Sequence, residues 1–358
     1  MTILQDFAVL NPMCEEDHVK LLQLWQEWPK REIFAHPDYV RLVAIGVGSP
    51  RLAVFRLGSA TVLYPFVLRD IVLNNQETQS FDIISPYGYS GMFTIGDSDR
   101  YRLAHAFHEQ FESWCTQNGI VSEFVRMSLF PEELLPYPHS LTHRSENVIV
   151  PLFVDEEKIW MSYEAKVRKN VKKALRSNVH IQLDHTGDTL ESFFRIFEST
   201  LTRREAHESY FHSLGFFQGL SSSLHGNYVY ANAIYRDTVV STELVLISAN
   251  AIYSFLGGTD ASSFEVRPND LLKHEVCLWA RSQGKQYYVL GGGYRKDDGI
   301  FRYKKSFAPH GVVPFYSGER IFDQKTYDCL VELALKERRD TEKAEIMDPS
   351  FFPLYRVS

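Results

Sequence analysis

Six of the eleven residues from Lys166 to Arg176, in KVRKNVKKALR, are cationic. At helical spacing Val167, Val171, Ala174 and Leu175 form an apolar stripe, Lys166, Lys169, Lys173 and Arg176 line the opposite face, and Arg168 and Lys172 lie beside it. The only acid within one turn is Glu164, four residues before Arg168. Like charges this dense destabilise a helix, and an anionic ligand offsets that repulsion. The chemistry expected of Lys166, Arg168, Lys169, Lys172 and Lys173 is therefore binding of a phosphate-bearing substrate. A solvated face is the bland alternative.

Other chemistries are excluded by spacing. His108-Glu109 and His274-Glu275 lack a second His one turn on, so no HExxH zinc face forms, and both pairs read as surface or edge residues. Gly88-Tyr89-Ser90-Gly91 is one residue short of a nucleophile elbow. There is no phosphate-binding Walker loop, and Gly291-Gly292-Gly293 leads into Tyr294-Arg295 rather than a helix, which removes nucleotide hydrolysis and hydride transfer. Cys14, Cys115, Cys277 and Cys329 form no CxxC pair, so neither a disulfide framework nor a metal site is expected, and a reducing cytoplasm is the natural compartment.

The elements that must position these residues follow from 358 residues that are 44% apolar and 14% aromatic, enough for a large core and for two domains. A net charge of −7 leaves no general attraction for DNA or anionic membranes, and no run of 18 apolar residues predicts a membrane span. RLAVFRLGSATVLYPFVLRD predicts a hairpin around Gly58-Ser59. FDIISPYGYSGM runs from a strand into a loop presenting Tyr87 and Tyr89, and DRYRLAHAFHEQFESWCTQNG predicts a helix closed by Gly119 and followed by a strand. Helices are expected over 158–176, 188–204 and 210–223.

The second half repeats the first. Three strands divide at Arg236-Asp237 and Ser248-Ala249-Asn250; a helix opened by Asn269 and closed by Gly284 and the strand QYYVLGGG follow. In both halves a Trp lies five residues before the closing Gly, Trp114 before Gly119 and Trp279 before Gly284, which reads as a duplicated unit. The expected domains are 1–150, 151–325 and a C-terminal helix and tail over 326–358.

A meander of antiparallel strands, a helix and a further strand is similar to the GNAT acyltransferase fold. The turn Arg267-Pro268-Asn269-Asp270-Leu271-Leu272 lacks the glycines that hold a pyrophosphate there, and Asp270 opposes one, so free coenzyme A is expected to bind weakly. With KVRKNVKKALRSNV, Arg203-Arg204, FLGGTD, RPNDLLKHEVCLWARSQG, YYVLGGG and GIFRYKKSF, the chain resembles the Fem-like aminoacyltransferase superfamily, over roughly residues 155–310 and its shorter, hairpin-free members.

The resemblance implies an α/β fold of two tandem GNAT-like halves, each a mixed, mainly antiparallel sheet flanked by helices, the first half degenerate and the second carrying the chemistry. It implies acyl transfer to an amine of an envelope precursor, from charged tRNA or an acyl thioester, with no tightly bound cofactor. Acyl-CoA-dependent N-acyl transfer and an inert binding protein of the same fold stay open. By the same resemblance Lys304, in what reads as a strand over GIFRYKKSF, stabilises the oxyanion, with Lys305 on the other face and the two exchanging roles if the register slips. Tyr253 and Asp260 fall where the sheet splays and ligands enter. Arg204, the one of the Arg203-Arg204 pair expected to face inward, together with Tyr89 and Tyr294, completes the expected substrate site.

Overall fold

The computed structural model describes residues 5–73, 76–96, 99–340 and 351–356. The chain divides into two compact units, one of Met1–Trp28, Phe34–Arg144 and Phe315–Ser358, the other of Pro29–Ile33 and Ser145–Pro314.

In the first unit β1 (Gln5–Leu10), α1 (Glu15–Glu27) and α2 (Pro37–Ala44) precede a meander of β2 (Ser49–Leu57), β3 (Ala60–Leu73) and β4 (Gln76–Ile84). The β2–β3 hairpin closes Leu57 on Ala60 around Gly58 and Ser59, as the sequence predicts, with Gly58 at φ 63°. After β5 (Phe93–Ile95) come α3 (Arg100–Gln117) and β6 (Ile120–Arg126), which runs parallel to β4.

The chain then forms β7 (Leu141–Pro151), whose last residues open the second unit, followed by α4 (Glu156–Ser162), α5 (Ala165–Arg176), β8 (His180–Asp184), α6 (Leu190–Arg203) and α7 (Leu214–Ser223). A second meander of β9 (Tyr228–Tyr235), β10 (Thr238–Ile247) and β11 (Ala251–Thr259) turns at Arg236-Asp237, both at positive φ, the twist a two-residue hairpin requires. Next come α8 (Pro268–Ser282) and β12 (Tyr287–Gly291), which runs parallel to β11 and antiparallel to β7. Helices α3 and α8 both end on a glycine at positive φ, Gly119 at 66° and Gly284 at 74°, so the duplicated grammar is physical: the same C-terminal stop turns each helix into a parallel strand.

Three expectations change. GIFRYKKSF is not a strand but α9 (Gly299–Lys305): Asp298 caps it, accepting from the Phe301 N–H at 2.7 Å, and a capped turn overrides the strand pattern. Residues from Phe315 onward join the first unit rather than the second half or a separate tail, because β13 (Val312–Ile321) pairs antiparallel with β6 and the apolar stripe Tyr327, Leu330 and Ala334 of α10 (Gln324–Asp340) packs with Ile71 and Val121. His108 is buried, 8% exposed, with Nε2 3.0 Å from the Pro136 carbonyl oxygen, so it is core rather than surface. No helix among the described residues is long and apolar enough to cross a membrane.

Candidate active site

Strands β11 and β12 pair only from Ala251 to Tyr253 against Tyr287 to Val289, after which β11 runs on to Thr259 without that neighbour. Opposite β10, its register slips between Leu244/Leu256 and Val245/Ser254, which leaves Phe255 as the extra residue of a bulge. A cavity of about 500 Å³ opens where the strands part, lined by β10, β11, the end of α6, the start of α8, and α9. Gly258 lets α6 approach: a Cβ there would stand 2.4 Å from Thr200 Oγ1.

Lys304 lines this cavity and Lys305 points to solvent, which settles which lysine of the motif lies inside. Its Nζ donates to the Gly292 carbonyl at 2.7 Å. Burial, reinforced by the Lys273 cation, pushes the Lys304 ammonium down to about 7. At neutral pH this lysine therefore exchanges a proton readily, whereas an ordinary lysine stays charged.

Sequence reading did not single out the polar cluster under Lys304. Lys273 of α8 is buried and donates to Glu243 Oε1 at 2.7 Å and to Ser254 Oγ at 2.8 Å, and the Tyr288 hydroxyl donates to the same Glu243 oxygen at 2.5 Å. A buried Lys inside an apolar helix face, facing a Glu in an apolar strand, was the available signal: neither charge is stable inside without the other.

Arg203 and Arg204 both line the cavity, against the expectation that only one faces inward, because the helix ends at Arg203 and Arg204 leaves the helical face as its C-cap. Arg203 lies over the Phe264 ring at 4.9 Å and reaches the Thr259 carbonyl at 3.3 Å. Tyr294 lines the cavity edge-on to Tyr210, ring centroids 5.0 Å apart. Arg267, in the left-handed region at φ 59°, starts α8, so Asn269 is not its cap. Asp270, three residues on, is buried, accepts from Asn170 of α5 at 3.1 Å, and has its carboxyl raised by that burial. An acid on the first turn satisfies the helix dipole internally, where a pyrophosphate would otherwise bind.

The remaining expected residues lie elsewhere. Tyr253 is buried outside the cavity and donates to Glu32 Oε2 at 2.8 Å. Asp260 is half-buried at the cap of the turn after β11, and the hydrogen bond it accepts from the Ser262 N–H holds its carboxyl below the usual range. Tyr89 belongs to the first unit, between the rings of Phe34 and Phe315. On α5, Lys166, Lys169, Lys172, Lys173 and Arg176 are exposed; Lys172 lies over the Trp160 ring at 5.8 Å, and the Arg168 guanidinium is turned back onto the Tyr163 carbonyl.

Residues 162–305 match the acetyltransferase (GNAT) domain, a span that runs from the end of α4 to the end of α9 and so contains the whole cavity. No curated protein matches the chain in sequence. Among solved structures, FemX superposes with a TM-score of 0.65 at 11% identity, covering 87% of this chain and 97% of that chain. L-PGS from Bacillus licheniformis gives 0.55 at 12% identity, covering 93% and 98%. The C-terminal domain of a putative lysylphosphatidylglycerol synthetase from Agrobacterium fabrum gives 0.54 at 12%, covering 92% and 97%. With the splayed strands, the cavity and the domain match in agreement, residues 162–305 carry a GNAT acetyltransferase domain, which makes the chain an acyltransferase, and its α/β fold is similar to that of FemX.

Proposed function

We propose that the chain moves an aminoacyl or other acyl group onto an amine of a phosphate-bearing cell-envelope precursor, and that the second unit does the chemistry. One observation carries this reading: a lysine with a lowered affinity for its proton, Lys304, stands in a cavity whose walls also present Arg203, Arg204 and Arg267. The amine nitrogen attacks the donor carbonyl, a C–N bond forms, the C–O or C–S bond to the donor breaks, and the proton lost by the amine ends on the leaving group. Lys304 supplies charge to the oxyanion of the tetrahedral intermediate, which needs no covalent nucleophile on the protein. The arginines take phosphate of the donor or acceptor, and Tyr294 offers a ring for its sugar or base. Tyr253 and Asp260 act at a distance, the first fixing β11 through Glu32 and the second shaping the turn that follows it. The exposed cations of α5 hold the phosphate-bearing acceptor.

The neighbours named for FemX and lysylphosphatidylglycerol synthetase support an aminoacyl donor; the GNAT domain match favours the second reading, an acyl thioester donor. Incubating the purified chain with charged tRNA or acyl thioesters, across amino-sugar and peptide acceptors, tests both. Transfer that disappears in Lys304→Ala is expected. No transfer across the panel would leave an inert binding protein of the same fold.

A further inference from the structure

The cavity contains a charged group that the acyl-transfer step above does not use. Glu243 stands in its wall with 3% of its side chain exposed. Its Oε1 is fully engaged by Lys273 and Tyr288, but its Oε2 is buried and has no hydrogen-bond partner among the described residues. Lys273 also serves Ser254 and the Tyr288 oxygen, Lys304 donates to Gly292, and the Tyr303 hydroxyl, buried in the same wall, makes no hydrogen bond to Glu243 and is itself without a partner among the described residues. A carboxylate accepts at both oxygens, and leaving one of them buried without a donor costs about 1–3 kcal/mol. A group in that state in a cavity wall calls for a donor from outside the protein, and a ligand entering the cavity can bring one.

We propose that Glu243 Oε2 seats a primary amino group of a substrate. The proposal rests on reading this cavity as the acyl-transfer site, and it names the substrate chemistry there. Lys273 already balances the formal charge of Glu243, so the seat offers a directed acceptor and not a general attraction for cations. A primary ammonium brings three N–H donors and forms the stronger, charge-assisted bond, while a hydroxyl brings one donor and no charge. Two sources fit: the α-ammonium of an aminoacyl donor, and the amine of the acceptor.

Four probes separate these sources in calorimetric titrations: adenosine carrying a 3′-amide-linked alanyl group, the same compound with propionyl in its place, glucosamine and glucose. The wild-type chain should prefer the amine-bearing member of one pair at least tenfold. A preference in the adenosine pair assigns the seat to the donor; one in the sugar pair assigns it to the acceptor. Glu243→Gln should abolish that preference while leaving affinity for the amine-free member unchanged. Because this variant leaves Lys273 buried without its counter-charge, the double variant Glu243→Leu with Lys273→Met, which removes both charges together, should show the same loss. Equal affinity within both pairs for the wild-type chain, or a preference that survives in both variants, overturns the proposal. Lys304-dependent acyl transfer would stand in that event, so failure of the seat is distinguishable from failure of the acyltransferase reading.

Discussion

The two units share one order of elements, yet they fill the seam between central helix and sheet with opposite materials. In the first, α3 sends Phe107 and Phe111 inward onto Tyr64 and Phe66 of β3, with Phe107 and Phe111 stacked 5.6 Å apart. Two of its buried charges, Glu123 of β6 and Arg320 directly across on β13, are shut between the rings of Phe111 and Phe322 and the hydroxyls of Tyr64 and Tyr137. In the second, α8 sends Asp270 and Lys273 inward, Glu243 answers Lys273 from β10, and all three line a cavity. Topology is thus neutral about activity. Aromatic filling turns the shared plan into a core, and charged residues at the equivalent seam line a cavity. Both central helices also carry an acid at their start, Asp99 as the cap of α3 and Asp270 on the first turn of α8, so neither leaves its dipole for a phosphate.

The sharpest way to break this comparison is to damage each charge pair and ask what is lost. Arg320→Met strands Glu123 in the first unit, where both partners are sealed, and should cost about 3–5 kcal/mol of stability in denaturant titrations. The kcat of the protein that remains folded should stay unchanged. A fall in kcat without loss of stability would show that the first unit takes part in the chemistry. Lys304→Ala should do the reverse, with little change in stability and a kcat lower by a factor on the order of 10² to 10³, the size of one lost oxyanion donor.

The pH profile sharpens the role of that lysine. A proton affinity pushed down to about 7 means Lys304 is charged below that value and loses its charge above it. If the charged form stabilises the oxyanion, kcat should fall as pH rises through about 7, approaching tenfold per unit. Lys304→Arg, charged throughout the range, should lack that fall. A rate that instead rises through the same point would make Lys304 a base and remove it from the oxyanion.

The donor can be tested from the α8 turn. With Asp270 occupying the first turn, free coenzyme A should show no micromolar binding by calorimetry, and Asp270→Asn should strengthen whatever weak binding exists severalfold. Micromolar binding to the unaltered chain would reverse the ranking of donors and put acyl thioesters first.

Much of the fold was legible because its signals are local. Paired strands around Gly58-Ser59 and Arg236-Asp237, and a helix stopped by Gly119 or Gly284, need only turn chemistry and periodicity. Lys304 was legible only through its motif, and the motif's secondary structure was misread: an Asp cap two residues before Ile300 outweighs an alternation of aromatic and charged residues. What stayed hidden depends on distant pairing. Glu243 and Lys273 are 30 positions apart and look like isolated polar residues in apolar runs until the sheet and α8 bring them to 2.7 Å. Tyr253 was expected where the sheet splays, but it is the last paired residue before the strands part, and the partner that takes its hydroxyl, Glu32, is 221 residues away.

The smallest expected effect concerns α5, where the comparison turns from buried charge to exposed charge. Lys169 and Lys173 are both exposed, and the buried side of the helix is carried by Val167, Val171 and Ala174, so removing the two amines should leave the fold intact. Exposed ion pairs contribute about 0–1 kcal/mol each, which limits the effect of Lys169→Ala with Lys173→Ala to a several-fold rise in KM with kcat preserved. Screening gives the signature: the Debye length shrinks from roughly 10 Å at 0.1 M salt to 3 Å at 1 M, so wild-type affinity for a phosphate-bearing acceptor should fall steeply with salt and that of the double variant less steeply. Lys304 lies inside a cavity, and if it acts on charge that arises only during reaction its contribution to kcat should keep most of its size across the same salt range. An unchanged KM and an unchanged salt slope in the α5 double variant would make that face a solvated surface, and the phosphate on the acceptor would then have to be held by Arg203, Arg204 and Arg267 alone.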